Sequence, residues 1–373
     1  MKQIRKHPLW SLFAVLSAFC LLLLVSFRLF PVFSEWFARY PAAAVRIVLG
    51  FLSSVVPFSV FEISIVLFVL YLLFFLVFSF FQLLQCLRKK SISRYFGKLF
   101  LVIPTVLIMV LDLFALSFAP CYERKGVAEH MQLPMEEVTE ETVFEALAFL
   151  SDSINRASPL LSKNEAGESL CPVSEKELKI LVKNACSQFA KLNPFYQKTG
   201  FVSKSFLFSE WITYTHISGV FGFFTGEANV NTNYPHFVVS SAMAHEACHA
   251  RGIGAENECN FLASVILLES DSPYLNYCGA TALMDDFLSV CRRIDPERTN
   301  SILQNTDPVY AKDQAFYRAF FEPYRESTAS VVADQTNSAY LKSMGQTEGT
   351  LSYSRVIGLF SSYVLKISLQ TNS

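Results

Sequence analysis

The chain has 373 residues and a formal net charge of −1, with 52% apolar and only 17% charged residues. This composition is too apolar for an ordinary soluble protein and predicts that part of the chain lies in lipid. Lysine and arginine form no basic block outside the flanks of the apolar segments, so we expect no nucleic-acid partner.

Residues 1–120 carry the apolar excess and are predicted to form a transmembrane domain. Runs of spanning length predict α-helical membrane spans over about 9–30, 61–84 and 99–119. The first run could be a signal peptide, but its length and the lack of a small-x-small cleavage pattern favour an uncleaved anchor. Residues 41–60 are apolar but broken by two prolines, which indicates an interfacial or re-entrant segment.

Basic residues predict the orientation of these spans. Lys2, Arg5 and Lys6 precede the first span, and a second basic cluster at 88–98 separates the other two. Both clusters should be cytoplasmic, because positively charged loops stay on that side of a membrane. Three spans with a cytoplasmic N-terminus then place the rest of the chain outside the cytoplasm. We therefore expect a multi-pass protein of the cell membrane, with the lipid bilayer as one partner.

After the last span the composition becomes that of a soluble domain. Glu140 and Glu141, which suit the positive end of a helix dipole, predict a helix that begins near Thr139. A capping-box pattern of Ser174 and Glu177 predicts another that begins at Ser174. Short stretches rich in β-branched and aromatic residues predict a small sheet with strands near 202–208 and 228–232. Later helices are predicted over 238–251, 255–269, 273–293, 308–344 with a break at Pro323, and 350–367. A small sheet with many helices predicts an α+β domain over 121–373.

The chemical signal lies in 243-MAHEACHARGIGAENECNF-261. His245 and His249 are four residues apart, so on a helix their imidazoles lie on one face and can meet at one point. Two such nitrogens suit zinc. Glu246 flanks this face, where its carboxylate can take a proton from a metal-bound water without ligating the metal. The pattern predicts a Zn²⁺ site with Glu246 as general base.

A catalytic zinc site needs a third protein ligand and keeps one position open for water. Gly252 and Gly254 can end the first helix and turn the chain, and the next helix then begins with Glu256 and Glu258. We predict Glu256 as the ligand, because Asn260 then falls four residues later on the same face. There its amide oxygen can accept the outward N–H of a ligand histidine.

A plain alternative is a core helix whose histidines bond to backbone carbonyls, since a bare HExxH also arises by chance. The glycine turn followed by E-x-E-x-N favours the metal site, because this is the arrangement of the gluzincin group of metallopeptidases. Cys248 lies within the motif but on the side away from both histidines, which predicts a packing role.

Three stretches carry a closer resemblance: 219-GVFGFFTGEANVNTNYPHF-237, 245-HEACHARGIGAENECNFLA-263 and 352-SYSRVIGL-359. Together they resemble a family of bacterial membrane proteins of unknown function, with three N-terminal spans and a gluzincin-like external domain. The likeness covers nearly the whole chain. That family usually reads HELAHQRG and EDEAN, and the present HEACHARG and ENECN keep the ligands and the general base. The resemblance implies a zincin-like fold and a zinc site.

A substrate-binding strand is predicted from a layout similar to that of thermolysin, in which an edge strand precedes the HExxH helix. Ala228 to Asn231 would be that strand, with Asn229 offering an extra side-chain hydrogen bond to an extended peptide. The alternative is a structural hairpin with turn-forming asparagines.

A second group that stabilises the oxyanion is expected besides zinc. Tyr353 and Arg355 are the first candidates, and His216 and Tyr340 are the next. The alternative for the first pair is that a tyrosine and an arginine in a late helix cover apolar surface.

The sequence thus predicts a membrane-anchored zinc metallopeptidase of gluzincin type that acts on a peptide or protein substrate, with Glu246 as general base. One alternative is a zinc-binding but non-hydrolytic extracytoplasmic sensor or scaffold. Another is a membrane structural protein without metal.

Overall fold

A computed structural model describes the backbone of residues 8–88, 92–197, 202–343 and 351–371, and the side chains of 13–85, 105–197, 202–339 and 355–371. The chain divides into two compact units. The first comprises Met1–Arg124 and Gly222–Glu227, and the second comprises Lys125–Phe221 and Ala228–Ser373.

The described part of the first unit is helical. Its helices are α1 (Pro8–Leu29), α2 (Pro31–Arg39), α3 (Pro41–Ser54), α4 (Val60–Arg88) and α5 (Ile92–Ser117). Proline occupies the first position of α2 and of α3, where the missing N–H would have had no helical partner. The chain bends by 119° between α1 and the α2–α3 pair.

Helix α4 is long and apolar enough to cross a membrane. Its segment Val60–Gln85 has 26 residues, and the 18-residue window that defines it has a mean hydropathy of 2.9 and contains no buried residue. At 1.5 Å per residue it is about 39 Å long, more than the roughly 30 Å of a hydrocarbon core. This segment is the second predicted span.

The other two predicted spans have less support. Among the described residues, α1 is long and apolar enough to cross a membrane only when it is taken together with the α2–α3 pair. The sharp bend between them is that of a broken span or a re-entrant loop. The described apolar part of α5, Thr105–Ser117, is shorter than a span. The structure therefore supports one crossing helix, and the three-span anchor and its orientation stay predictions.

The N-terminus of α4 is capped by a carboxylate from another part of the first unit. Glu227 accepts hydrogen bonds from the backbone N–H groups of Val60, at 3.1 Å, and Phe61, at 2.7 Å. These donors have no partner within the helix, so the buried carboxylate stabilises its N-terminus. Nearby, the rings of Phe61 and Phe224 lie 5.3 Å apart.

The second unit consists mostly of helices with two small sheets. Its helices are α6 (Val127–His130), α7 (Glu140–Ala157), α8 (Glu175–Leu192), α9 (Ser209–Thr213), α10 (His236–Ala250), α11 (Glu256–Leu268), α12 (Pro273–Ile294), α13 (Pro296–Gln304), α14 (Pro308–Phe321), α15 (Thr328–Ser343) and α16 (Leu351–Thr371). Its strands are β1 (Ser162–Lys163), β2 (Ser169–Leu170), β3 (Lys204–Ser205), β4 (Gly219–Gly222) and β5 (Glu227–Val230), of which the last begins in the first unit.

The predicted helix starts are confirmed. Thr139 caps α7 in a reciprocal pair with Thr142, and Ser174 caps α8 in the expected pair with Glu177. The break in the predicted helix at 308–344 separates α14 from α15. Helix α13 was not predicted, because it is short and its sequence has no apolar stripe.

The predicted small sheet is confirmed, but its order differs from the expectation. The strands lie in the order β3-β5-β4, and β3 runs parallel to β5 with Lys204 opposite Asn229. Strand β5 is therefore central.

The core of the second unit lies around α12, which packs against α7, α10, α11 and α16. Its largest fully buried aliphatic and phenylalanine side chains come from several helices: Leu147, Leu150, Ile154, Leu178, Met243, Phe261, Phe287 and Phe360. Both α10 and α11 contribute to this core. The packing therefore fixes the two helices that carry the HExxH and E-x-E-x-N patterns. The architecture is mostly helical with a small sheet, and the zincin fold itself stays a prediction.

Candidate metal centre

A tight turn folds α11 back beside α10. Gly252 takes a left-handed conformation with φ of 89°. Its N–H donates to the carbonyl of His249 at 3.0 Å, and the N–H of Ile253 donates to the carbonyl of Cys248 at 3.1 Å. These two bonds are the Schellman pattern that commonly ends a helix at a glycine. The predicted role of this glycine is confirmed.

The three predicted metal ligands come together at one point. Nε2 of His245 lies 3.2 Å from Nε2 of His249 and 3.0 Å from Oε2 of Glu256. Nε2 of His249 lies 3.4 Å from Oε1 of the same carboxylate. Zinc bonds of about 2.0–2.1 Å in a tetrahedron give ligand-to-ligand edges of about 3.3–3.4 Å. The donor set and its spacing therefore fit a zinc ion.

Hydrogen bonds on the far side of each imidazole leave both Nε2 atoms turned toward this point. Nδ1 of His245 lies 2.7 Å from Oδ1 of Asn260, as expected from the sequence. Nδ1 of His249 lies 2.9 Å from the carbonyl oxygen of Ile253. When Nδ1 carries the proton it donates to these oxygens, and Nε2 keeps a free lone pair. The carbonyl was missed because a backbone acceptor has no side-chain signal in the sequence.

Cys259 is a further member of the cluster that was not predicted. His245, His249 and Cys259 form a group that could hold a metal ion, with ligand atoms within 4.8 Å of one another. However, Sγ of Cys259 lies 3.4 Å from Nδ1 of His249, the nitrogen that faces the Ile253 carbonyl. Glu256 instead faces the Nε2 atoms of both histidines, so its carboxylate fits the third ligand position better.

Charges within the cluster shift the pKa values of its members. Burial acts to lower the pKa of His249, but the Glu256 carboxylate outweighs it and raises the pKa to about 10. The pKa of His245 is raised for the same reason. Burial would raise the pKa of Glu256, yet the two histidines hold it below its usual range. Without metal the site therefore holds protons that a cation must displace.

Glu246 lies beside the ligands in a buried position, with 5% of its surface exposed. Burial raises the pKa of its carboxyl, although the histidines and the backbone N–H of Phe221 act in the opposite direction. Within the described residues, its Oε2 is buried and has no hydrogen-bond partner. Such an oxygen is free to accept a proton from a bound molecule.

Strand β4 passes close to Glu246 at a glycine. A Cβ on Gly219 would lie 2.6 Å from Cγ of Glu246, so no other residue fits there without a shift. This contact was missed from the sequence, although a glycine inside a strand is a signal of close approach.

The prediction that Ala228 to Asn231 form an edge strand is wrong. Strand β5 has neighbours on both sides, so its backbone groups are already paired and cannot bind a peptide. Its residues are buried, and the amide of Asn229 donates to the carbonyl of Val220 at 3.3 Å. The edges of the sheet are β3 and β4, and β4 is half-buried over 219–221.

The structure describes the side chains of two of the four candidate oxyanion groups, His216 and Arg355. Nε2 of His216 lies 2.8 Å from the carbonyl oxygen of Tyr324, so this nitrogen is already engaged. Arg355 is exposed near the start of α16. Tyr340 and Tyr353 lie on helices, but their side chains fall outside the described residues. Their roles stay predictions.

Comparison with known proteins places the chain in a family but supplies no activity. A family described as "Protein of unknown function (DUF3810)" matches residues 38–361. No curated protein and no solved structure matches the chain.

Proposed function

The chain belongs to the DUF3810 family, and we propose that it is a membrane-anchored, zinc-dependent metallopeptidase with its site on α10 and α11. The observation that carries the proposal is the convergence of three donor atoms, from His245, His249 and Glu256, beside a buried carboxylate. Two histidines and one glutamate are a ligand set of zinc peptidases, which leave one position open.

Each residue of the site has a distinct task in this proposal. His245, His249 and Glu256 hold the ion, and when bound, zinc lowers the pKa of a water molecule and polarises a carbonyl group. Asn260 and the Ile253 carbonyl fix the two imidazole rings through their Nδ1 atoms. Glu246 takes the proton from the attacking water and passes it to the leaving amine. Its buried Oε2, which has no hydrogen-bond partner among the residues that the structure describes, and its raised pKa favour such proton transfer.

Strand β4 is the surface on which an extended peptide would bind. It is one of the two edge strands of the sheet, and Gly219 brings it against Glu246. A peptide that adds to this edge by main-chain hydrogen bonds would lie next to the general base. The substrate class is therefore an extended peptide segment. The gluzincin-like fold, the three spans and the extracytoplasmic position of the site belong to the same proposal.

A second candidate is a zinc-binding protein that does not hydrolyse peptides. It is favoured by one observation, the burial of Asn229 and its neighbours on β5, which closes the groove expected along that strand. In this candidate the metal orders α10 and α11 and the domain acts as a sensor or scaffold.

The two candidates differ in turnover. Purified full-length protein and its Glu246→Gln variant are assayed for zinc content and for cleavage of casein and short peptides. A peptidase loses turnover in the variant while keeping its zinc, because Glu246 is not a ligand. Zinc in both proteins with cleavage in neither supports the second candidate. Undiminished cleavage by the variant rules out Glu246 as general base.

A further inference from the structure

A group of apolar side chains is exposed on the second unit over residues 202–214, just before and after strand β3. Much of the surface of each of these side chains is accessible to solvent: Val202 (37%), Leu207 (56%), Phe208 (50%), Trp211 (75%) and Tyr214 (40%). We refer to these five residues as the aromatic patch. Large apolar groups that are exposed together within a short segment point to a binding surface, whereas single exposed ones are common on any protein.

The segment that carries the patch is held to the sheet, so its exposure is not that of a loose loop. The N–H of Phe206 donates to the carbonyl of Val230 at 3.1 Å, and the Phe206 side chain is buried. The hydroxyl of Ser209 accepts the N–H of Thr232 at 3.3 Å. Thr213 is fully buried on the opposite side of α9. The fold thus buries Phe206 and Thr213 and leaves Leu207, Phe208 and Trp211 exposed.

We propose that the aromatic patch inserts into the interface of a lipid bilayer. Tryptophan and tyrosine are enriched at the level of lipid headgroups, where their rings are apolar and their N–H and O–H groups reach water. The same chain supplies a helix, α4, that is long and apolar enough to cross a membrane. With α4 in a bilayer, as in the membrane anchor of the proposed function on which this inference rests, the second unit is tethered to that membrane by its own chain.

The size and charge of the patch argue for lipid over a second copy of the chain. Its five side chains expose roughly 600 Å² in total, less than the roughly 800 Å² that each partner of a stable dimer usually buries. Within 202–214, the charged residues are Lys204, which is half-buried, and the exposed Glu210. The patch thus lacks the basic cluster that binds anionic headgroups. Insertion by apolar contact should therefore occur equally in neutral and anionic membranes.

The environment of Trp211 tests the proposal directly. The chain has three tryptophans, and replacement of the other two, Trp10 and Trp36, by phenylalanine leaves Trp211 as the single fluorophore. The full-length protein is reconstituted into phosphatidylcholine vesicles, with and without bromine on the lipid acyl chains. Insertion predicts at least about twofold quenching by brominated lipid and little quenching by iodide. The same result is expected when a third of the lipid is phosphatidylglycerol.

Two control variants calibrate the quenching, and each carries one new tryptophan in a chain whose three native tryptophans are replaced by phenylalanine. Phe74→Trp on α4, 65% exposed, reports full lipid contact, and Phe316→Trp on α14, 43% exposed, lies outside the patch. In addition, Leu207→Ser with Phe208→Ser is expected to abolish lipid quenching of Trp211. Quenching of Trp211 by iodide and not by brominated lipid would overturn the proposal. Protection from both quenchers would also overturn it, because it would indicate a protein partner or a second copy.

Discussion

Asn260 offers a test of the metal centre that does not depend on any substrate. Its Oδ1 lies 2.7 Å from Nδ1 of His245 and is expected to hold that ring in the orientation that presents Nε2 to the metal. Loss of such an outer hydrogen bond typically weakens metal binding by 10- to 100-fold, or about 1.4–2.7 kcal/mol. Asn260 is exposed, so water can partly replace its oxygen in an Asn260→Ala variant. We therefore expect a loss of zinc affinity near the lower limit, about tenfold.

Competition with a chromophoric chelator measures this change on the purified full-length protein. Asn260→Asp serves as the conservative partner, because it keeps an acceptor at the same place and should retain the wild-type affinity. Asn305→Ala removes another asparagine near a helix end, far from the motif in sequence, and should leave zinc binding unchanged. Equal zinc affinity in Asn260→Ala and wild type would refute the orienting role. Weakened binding in Asn305→Ala would show that the assay reports general stability instead.

Three further predictions concern the neighbouring residues. Gly219→Ala should lower turnover at least about tenfold and keep zinc, because the new Cβ would lie 2.6 Å from Cγ of the general base Glu246. Gly358→Ala is the matched control, since its Cβ would have its nearest neighbour at 3.4 Å. Equal activities of the two variants would contradict the contact between Gly219 and Glu246. Glu256→Gln should lose zinc while Cys259→Ala keeps it, as measured by metal analysis; the opposite pattern would assign the third ligand to the thiol. Because the pKa of His249 is about 10 without metal, zinc binding at pH 8 should release about one proton per ion, and affinity should rise as pH rises toward 10. Calorimetry in buffers of different ionisation enthalpy measures this release, and a value near zero would contradict the raised pKa.

Local patterns predicted the site better than they predicted the sheet. The spacing of His245, His249, Glu256 and Asn260 follows helix geometry, so one sequence window was enough to bring all four together. The helix starts at Thr139 and Ser174 rest on equally local capping bonds. In each case the interacting groups lie within a few turns of the chain, where sequence order determines proximity.

The order of the strands depends on contacts that are distant in sequence. Whether β5 lies at an edge is decided by the pairing of Lys204 with Asn229, which no local pattern encodes. The same holds for Gly219, whose role appears only once β4 lies against Glu246. The carbonyl of Ile253 and the thiol of Cys259 reach His249 through the turn after α10. Their contacts with His249 follow from backbone geometry, so the residue types in the sequence do not predict them.

Zinc content tests the central claim most directly. The full-length protein, purified without chelators, is compared with His249→Ala and with Glu246→Gln by elemental analysis. We predict close to one zinc per chain in the wild type and in Glu246→Gln, and far less than one in His249→Ala. A wild-type protein without zinc, or a His249→Ala variant that carries as much zinc as the wild type, would contradict the metal centre.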